Sequence, residues 1–181
     1  MNAPVFIFWR RSDRRYYVAL LILTALLAIV VTLLNVVFSV NRIDGGSMEP
    51  ALRDGDRILA TRGYDRPVVG DIVSFTFVDR NGRPISVIKR VVAVSGDTVE
   101  IVGDSAWVNG RLSEAAPAAH IGTETYRLGP MTVPDGMVYV LGDNRPVSLD
   151  SRWIGFVPLA TIDGKAIAII LPPLRIGGID D

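Results

Sequence analysis

The chain has 181 residues, 49% of them hydrophobic, and its 19 basic and 19 acidic side chains cancel. That balance offers no basic excess for a nucleic-acid partner. The absence of cysteine excludes disulfides, thiolate chemistry and Cys-ligated zinc, and one histidine, His120, does not make a His-rich metal site.

The run Val18 to Val40, VALLILTALLAIVVTLLNVVFSV, holds 23 residues without a charge. As a helix it is about 34 Å long, enough for a hydrocarbon core of roughly 30 Å. Thr24, Thr32, Asn35 and Ser39 are its only polar members, and hydroxyls can bond back to helix carbonyls. A cleavable leader would carry a shorter apolar run, about 7–15 residues, ending at small residues. The exit FSVNRID has no such pattern, so an uncleaved anchor over 18–40 is expected. Arg10, Arg11, Arg14 and Arg15 precede the span and only Arg42 closely follows it. The positive-inside rule then puts residues 1–17 in the cytoplasm and residues 41–181 outside. Trp9, Tyr16 and Tyr17 stand where interfacial aromatics belong, and residues 1–9 are apolar but too short to span. About 140 residues remain, sufficient for one compact domain.

Directly after the span comes DGGSMEPAL, residues 44–52. Gly, Ser and Pro punctuate ordinary linkers, but the same residues would also shape a turn presenting a nucleophilic Ser47. From residue 57 onward, short apolar runs alternate with turn signals and no 3.6-residue period persists. DGDRILA enters a strand, and the region around Asn81-Gly82 reads as two strands joined by a type I′ hairpin. Asn109-Gly110 repeats that design. PDGMVYVLGDN is a turn and strand, and GKAIAIIL is a last strand ended by Pro172-Pro173. The expected fold is mainly β, an antiparallel barrel or sandwich, with a looser small insertion at about 103–133.

Within ISVIKRVVAV, residues 85–94, side chains alternate faces. Lys89 shares its face with Ile85, Val87, Val91 and Ala93. Such a lysine is either an edge-strand residue that snorkels to water or an amine kept neutral by desolvation. A neutral amine within reach of a serine hydroxyl is a general base, and no His–Asp pair competes for Ser47. The later stretch GDNRPVSLDSRWIGFVP, residues 142–158, is either a solvated turn or a packed polar shell. In the second case Asp150 and Arg152 would pair and Ser148 would orient an amine.

Taken in order, SMEPAL, GDIVSF, IKRVVAVSGD and GDNRPVSLDSRWIGFVP resemble the boxes of bacterial type I signal peptidases, over roughly residues 18–175. The resemblance implies a mostly antiparallel β peptidase domain with a Ser47 nucleophile and a Lys89 general base, without metal or organic cofactor. Ser148 would hold the lysine amine, Asp150 and Arg152 would support the site, and Asp143 and Asn144 would shape the neighbouring loop. Met48 and Pro50 would form the turn. Gly45 stands where some members carry a serine that donates to the oxyanion, which leaves that task to backbone N–H groups, chiefly that of Ser47. Ser95 and Ala51 replace a frequent proline and threonine, and His120 matches no catalytic position. The implied substrates are preproteins with N-terminal signal peptides, cut on the outer face of a bacterial cytoplasmic membrane, with membrane lipid as the other partner. A narrower processing peptidase and a non-enzymatic membrane-tethered β-module remain the alternatives, and the oligomeric state is not legible.

Overall fold

The computed structural model describes residues 11–113 and 127–179. Residues 1–9, His120 and the middle of the predicted insertion lie outside the described residues. Two compact units divide the chain after Val37.

The described part of the first unit is one helix, α1 (Arg11–Val37). No glycine or proline interrupts it, and its polar side chains satisfy themselves along the helix. Thr24 and Thr32 donate their hydroxyls to Leu21 O and Ala28 O, and Asn35 Nδ2 donates to Val31 O. Within Arg14–Val37 an 18-residue window has a mean hydropathy of 2.8, and none of that window is buried. The helix is therefore long and apolar enough to cross a membrane. It stops earlier than the charge-free run: Phe38, Ser39 and Val40 open a strand.

The second unit is antiparallel β. Its strands are β1 (Phe38–Arg42), β2 (Arg57–Thr61), β3 (Ile72–Val78), β4 (Pro84–Val94), β5 (Thr98–Val102), β6 (Ser105–Val108), β7 (Arg111–Leu112), β8 (Arg127–Thr132), β9 (Met137–Leu141), β10 (Val157–Pro158), β11 (Ile162–Leu171) and β12 (Gly177–Gly178). A single helical turn, α2 (Ser151–Ile154), lies between β9 and β10. The larger sheet runs β1-β2-β11-β3-β4-β9-β10, with β12 added to β11, and the smaller runs β7-β6-β5-β8.

Three details differ from the sequence reading. Asn81-Gly82 is not a two-residue type I′ turn. The Asp79 carboxylate accepts the N–H groups of Asn81 and Arg83 at 2.8 Å each, which stabilises a wider loop across Asp79–Arg83. Asn109-Gly110 does have positive φ at both residues, 53° and 75°, as a type I′ hairpin requires. The described part of the predicted insertion is ordered sheet rather than loose chain. Ala106 and Val133 bury with Val99 and Ile101, which precede the insertion, against Tyr139 and Leu141, so its pattern, diluted by polar and small residues, still adds to a core. The last strand is β12, which follows the Pro172-Pro173 stop.

β4 joins the two halves of the larger sheet. It pairs with β3 from Pro84 to Arg90, but with β9 only from Arg90 to Val94. Among the described residues, one edge of residues 84–89 is therefore left without a strand partner, and so is the outer edge of β1.

Candidate active site

Ser47 lies on the turn between β1 and β2, ten residues beyond the last residue of α1. Gly45, at φ +90°, bends the chain in a conformation that side chains disfavour. Its N–H donates to Asp54 Oδ1 at 2.8 Å. Behind the serine, Met48 and Leu52 are almost fully buried in a core with Ile43, Ile58, Ile72, Ala166 and Ile169. Leu52 N–H donates to Met48 O at 2.9 Å and Glu49 N–H to Gly46 O at 3.2 Å. The core thus grips one side of the turn while Ser47 stays half-exposed. Pro50 is exposed beside it.

Lys89 reaches Ser47 from the partner-free edge of β4. Its Nζ lies 2.8 Å from Ser47 Oγ and 2.7 Å from the Ile88 carbonyl oxygen. The side chain does not snorkel: Lys89 is 3% exposed. Burial drives its pKa down from 10.5 to about 8, against the opposing pull of the Asp150 and Asp143 carboxylates. Desolvation disfavours an ammonium, so this amine gives up its proton far more readily than a surface lysine.

The polar segment after β9 packs around this pair. Asp143 forms a two-pronged ion pair with Arg90, Nε to Oδ1 at 2.9 Å and Nη2 to Oδ2 at 2.8 Å. Arg90 Nη1 also donates to Gly70 O. Asn144 ties the segment to the nucleophile's turn, its Nδ2 donating to Gly46 O at 3.0 Å and its backbone N–H to Ser47 O at 3.1 Å. Asp150 is fully buried. It accepts from Gly142 N–H, Arg152 N–H and the Arg152 guanidinium, and it caps α2. Arg152 in turn donates to Arg145 O at 2.6 Å.

Ser148 is buried at 6% exposure, and its Oγ has no hydrogen-bond partner among the described residues. Its place is close to the dyad all the same. A Cβ added at Gly142 would come within 2.6 Å of both Ser148 Cβ and Ser47 O. The hydroxyl therefore lies across Gly142 from the serine's backbone, but no hydrogen bond joins it to Lys89 Nζ.

All the residues singled out from the sequence thus converge, Gly45, Met48, Asp143, Asn144, Ser148, Asp150 and Arg152 around Ser47 and Lys89. Others were given no role from the sequence. Arg90 neutralises Asp143, and its signal was a cation next to the lysine on the opposite face. Gly142 leaves room for a close approach. Buried Arg145 donates to Gly142 O at 2.8 Å and to Asp104 O, and Ser151 Oγ accepts from Val140 N–H at 2.9 Å. Both stood in plain sight in a polar loop, with nothing local to tell buried members from solvated ones.

A cleft opens beside the dyad, with Ile43, Ile58, Val87 and Ile88 as its apolar wall and Arg62, Ser74, Ser86 and Asp163 as its polar part. Its lining is drawn from β1, β2, β3, β4 and β11. Among the described residues, no three His, Asp or Glu side chains gather as a metal site.

A family model described as signal peptidase, peptidase S26, matches residues 14–171. A probable signal peptidase I-2 of Synechocystis is 36% identical over 150 residues, 77% of this chain and 66% of that protein's length. A signal peptidase I of Bacillus amyloliquefaciens is 32% identical over 161 residues, 84% of this chain and 85% of that one. A signal peptidase I of Enterococcus faecalis V583 with a known crystal structure is 36% identical. It covers 55% of this chain and 96% of its own, with a TM-score of 0.43.

Proposed function

We propose, for a chain that belongs to the peptidase S26 family of signal peptidases, that it cleaves N-terminal signal peptides from preproteins with Ser47 as nucleophile and Lys89 as general base. One observation carries this reading: a buried amine of lowered pKa at 2.8 Å from a serine hydroxyl on a core-anchored turn. A base must be within hydrogen-bond reach of the proton it takes. A β-module without chemistry has no use for a lysine held this way.

The steps follow from the geometry. Neutral Lys89 takes the Ser47 proton as Oγ bonds to the scissile carbonyl carbon. The carbonyl oxygen becomes an oxyanion in the tetrahedral intermediate. Gly45 has no side-chain donor and its N–H is already engaged by Asp54. Among the described residues the Ser47 N–H donates to no protein acceptor, so it is the first donor for that oxygen. The Lys89 ammonium then passes its proton to the departing amine, leaving an ester on Ser47. A water molecule, deprotonated by Lys89, hydrolyses this ester and restores both residues.

Each supporting residue has a task in this scheme. Asn144 and Met48 fix the turn, Asp143 and Asp150 hold the segment that closes around Lys89, and Arg152 orders Asp150. Ser148, with its oxygen unclaimed, would turn to hold the lysine amine once substrate excludes water. An extended substrate segment would lie in the cleft, adding main-chain hydrogen bonds along the open edges of β1 and β4. Small residues before the cut would suit the apolar wall.

The helix would anchor the enzyme, with residues 1–17 in the cytoplasm, 18–40 crossing the bilayer and 41–181 beyond it. In that arrangement the enzyme would act on the outer side of a bacterial cytoplasmic membrane, with membrane lipid and with substrates whose apolar segments occupy the same bilayer as its partners. Incubating purified wild type and Ser47→Ala with several unrelated preproteins in detergent tests the proposal. Cut preprotein from the wild type alone supports it. Equal cutting by both, or none by either, refutes it, and cleavage of a single cognate protein would mark a narrower processing enzyme.

A further inference from the structure

The stretch after β11 braces the turn that bears the nucleophile. Pro172 and Pro173 end the strand, a short 3-10 turn spans Pro173–Arg175, and β12 folds back to pair Gly177 with Ile169 and Gly178 with Ala168. The fold-back carries Ile179 into the core that holds Met48 and Leu52.

It also delivers Arg175. The guanidinium meets Asp56 with Nε 3.0 Å from Oδ1 and Nη2 2.9 Å from Oδ2, and Nη2 also donates to Ala51 O at 3.0 Å. Asp56 is 2% exposed, and its Oδ2 accepts Arg53 N–H at 2.8 Å. Its backbone carbonyl accepts Ile43 N–H at 2.8 Å. One side chain, 119 residues distant in sequence from Asp56, thus grips the loop from residue 43 to residue 56 at its middle and at its end.

This loop needs an outside brace. Asp44, Gly45, Glu49 and Pro50 are exposed; Met48 and Leu52 pull on the turn from within and Asn144 ties it at Gly46 and Ser47, which leaves Ala51 and Asp56 to the Arg175 side. Resting on the assignment of Ser47 and Lys89 as the catalytic pair, we propose that Arg175 is a positioning residue. By clamping Ala51 and Asp56 it holds the Ser47 turn at hydrogen-bond distance from Lys89. A lysine cannot replace it, because an ammonium does not offer the flat fork that meets a carboxylate and a carbonyl together.

The test uses the full chain in detergent, with Arg175→Ala, Arg175→Lys and wild type, preprotein cleavage kinetics and hydrogen exchange of residues 47–56. Misplacing reacting groups by about 1 Å typically costs on the order of 100-fold. The expected result for Arg175→Ala is a fall in kcat of roughly 10- to 100-fold with KM within about twofold of wild type. Millimolar guanidinium ion should restore part of the loss in Arg175→Ala and do nothing for wild type. Arg175→Lys, which keeps the charge, should fold and still show most of the loss. Exchange at residues 47–56 should quicken in both variants while β3 and β4 stay protected. The proposal fails if folded Arg175→Lys turns over like wild type, if guanidinium rescues nothing, or if exchange in the loop is unchanged. The exchange result stands whether or not any preprotein is cut, so it separates an error about the brace from an error about the peptidase.

Discussion

The pH dependence of cleavage gives the sharpest check on Lys89. The base must be neutral to accept the Ser47 proton, so activity is lost as pH falls through the lysine pKa. With that value at about 8, about a tenth of the enzyme is competent at pH 7; at an ordinary lysine value near 10.4 the share would be about one in 2,500. Burial thus raises the competent fraction by a few hundredfold. The corresponding desolvation cost is roughly 3 kcal/mol, a large part of a domain's stability of about 5–15 kcal/mol. The assay is kcat/KM for a preprotein or a peptide spanning its cleavage site, from pH 5.5 to 10.5 at fixed ionic strength. That ratio reports the free enzyme's ionisation. It should climb about tenfold per pH unit below 7, bend near 8 and level off above 9. A profile flat down to pH 6 would remove Lys89 as the base. A bend near 10 would mean that the amine is solvated and that the buried geometry is not the working one.

Four further outcomes follow. Because the folded-state lysine pKa is depressed, the folded protein carries the desolvation penalty below pH 8 and sheds it between pH 8 and 10.5. Lys89→Met should therefore be inactive yet more stable by about 1–3 kcal/mol in denaturant melts at pH 7, the gain vanishing by pH 10.5. Gly142→Ala would push a methyl to within 2.6 Å of Ser47 O, so kcat should fall by about 100-fold or more, measured on the folded fraction. Asp143→Ala removes the carboxylate that meets Arg90 while leaving its bond to Gly70 O, and equilibrium unfolding should show a loss of about 3 kcal/mol. Arg152→Gln leaves Asp150 facing Lys89 without its countercharge, so the bend in the pH profile should move to higher pH; an unmoved bend would show that Asp150 does not act on the amine.

How much of this could be read from the sequence depends on how local each cause is. The helix shows as an unbroken apolar run, and Asn109-Gly110 shows as a hairpin because two residues settle its backbone. Asn81-Gly82 misleads for the same reason. A carboxylate two residues before Asn81 rebuilds the loop, and dipeptide preference does not include it. Beyond the Asn109-Gly110 hairpin, the rest of the second sheet was hidden by its dilute pattern. Its few buried residues find their partners on β9, some thirty positions or more away from most of them. The pairs Arg90–Asp143 and Arg175–Asp56 are longer-range still. Distant ion pairs impose no period on either partner's neighbourhood, and an arginine in a strand or after a proline turn looks like solvated surface until the fold closes.

The candidate pair drew attention in the sequence because Lys89 is a charge placed in an apolar alternation, and because the boxes around it resemble those of a known family. The structure shows how the fold tolerates that charge. Two carboxylates, Asp143 and Asp150, stand near enough to pull the lysine pKa upward, which would protonate the base and disable it. Each is bound by an arginine, Arg90 on the first at 2.8 Å and Arg152 on the second at 2.9 Å. An ion-paired carboxylate presents less field to a third charge than a bare one, so desolvation outweighs the residual attraction and the amine's pKa stays low. The carboxylates remain useful for their hydrogen bonds, Asp150 anchoring Gly142 and Asp143 anchoring Arg90 and through it the carbonyl of Gly70. The site therefore uses charged groups as braces while their arginines keep them from acting as acids' partners. Neutral Asn at either position would not be an equivalent choice, since it would take away the carboxylate charge that Arg90 or Arg152 meets there.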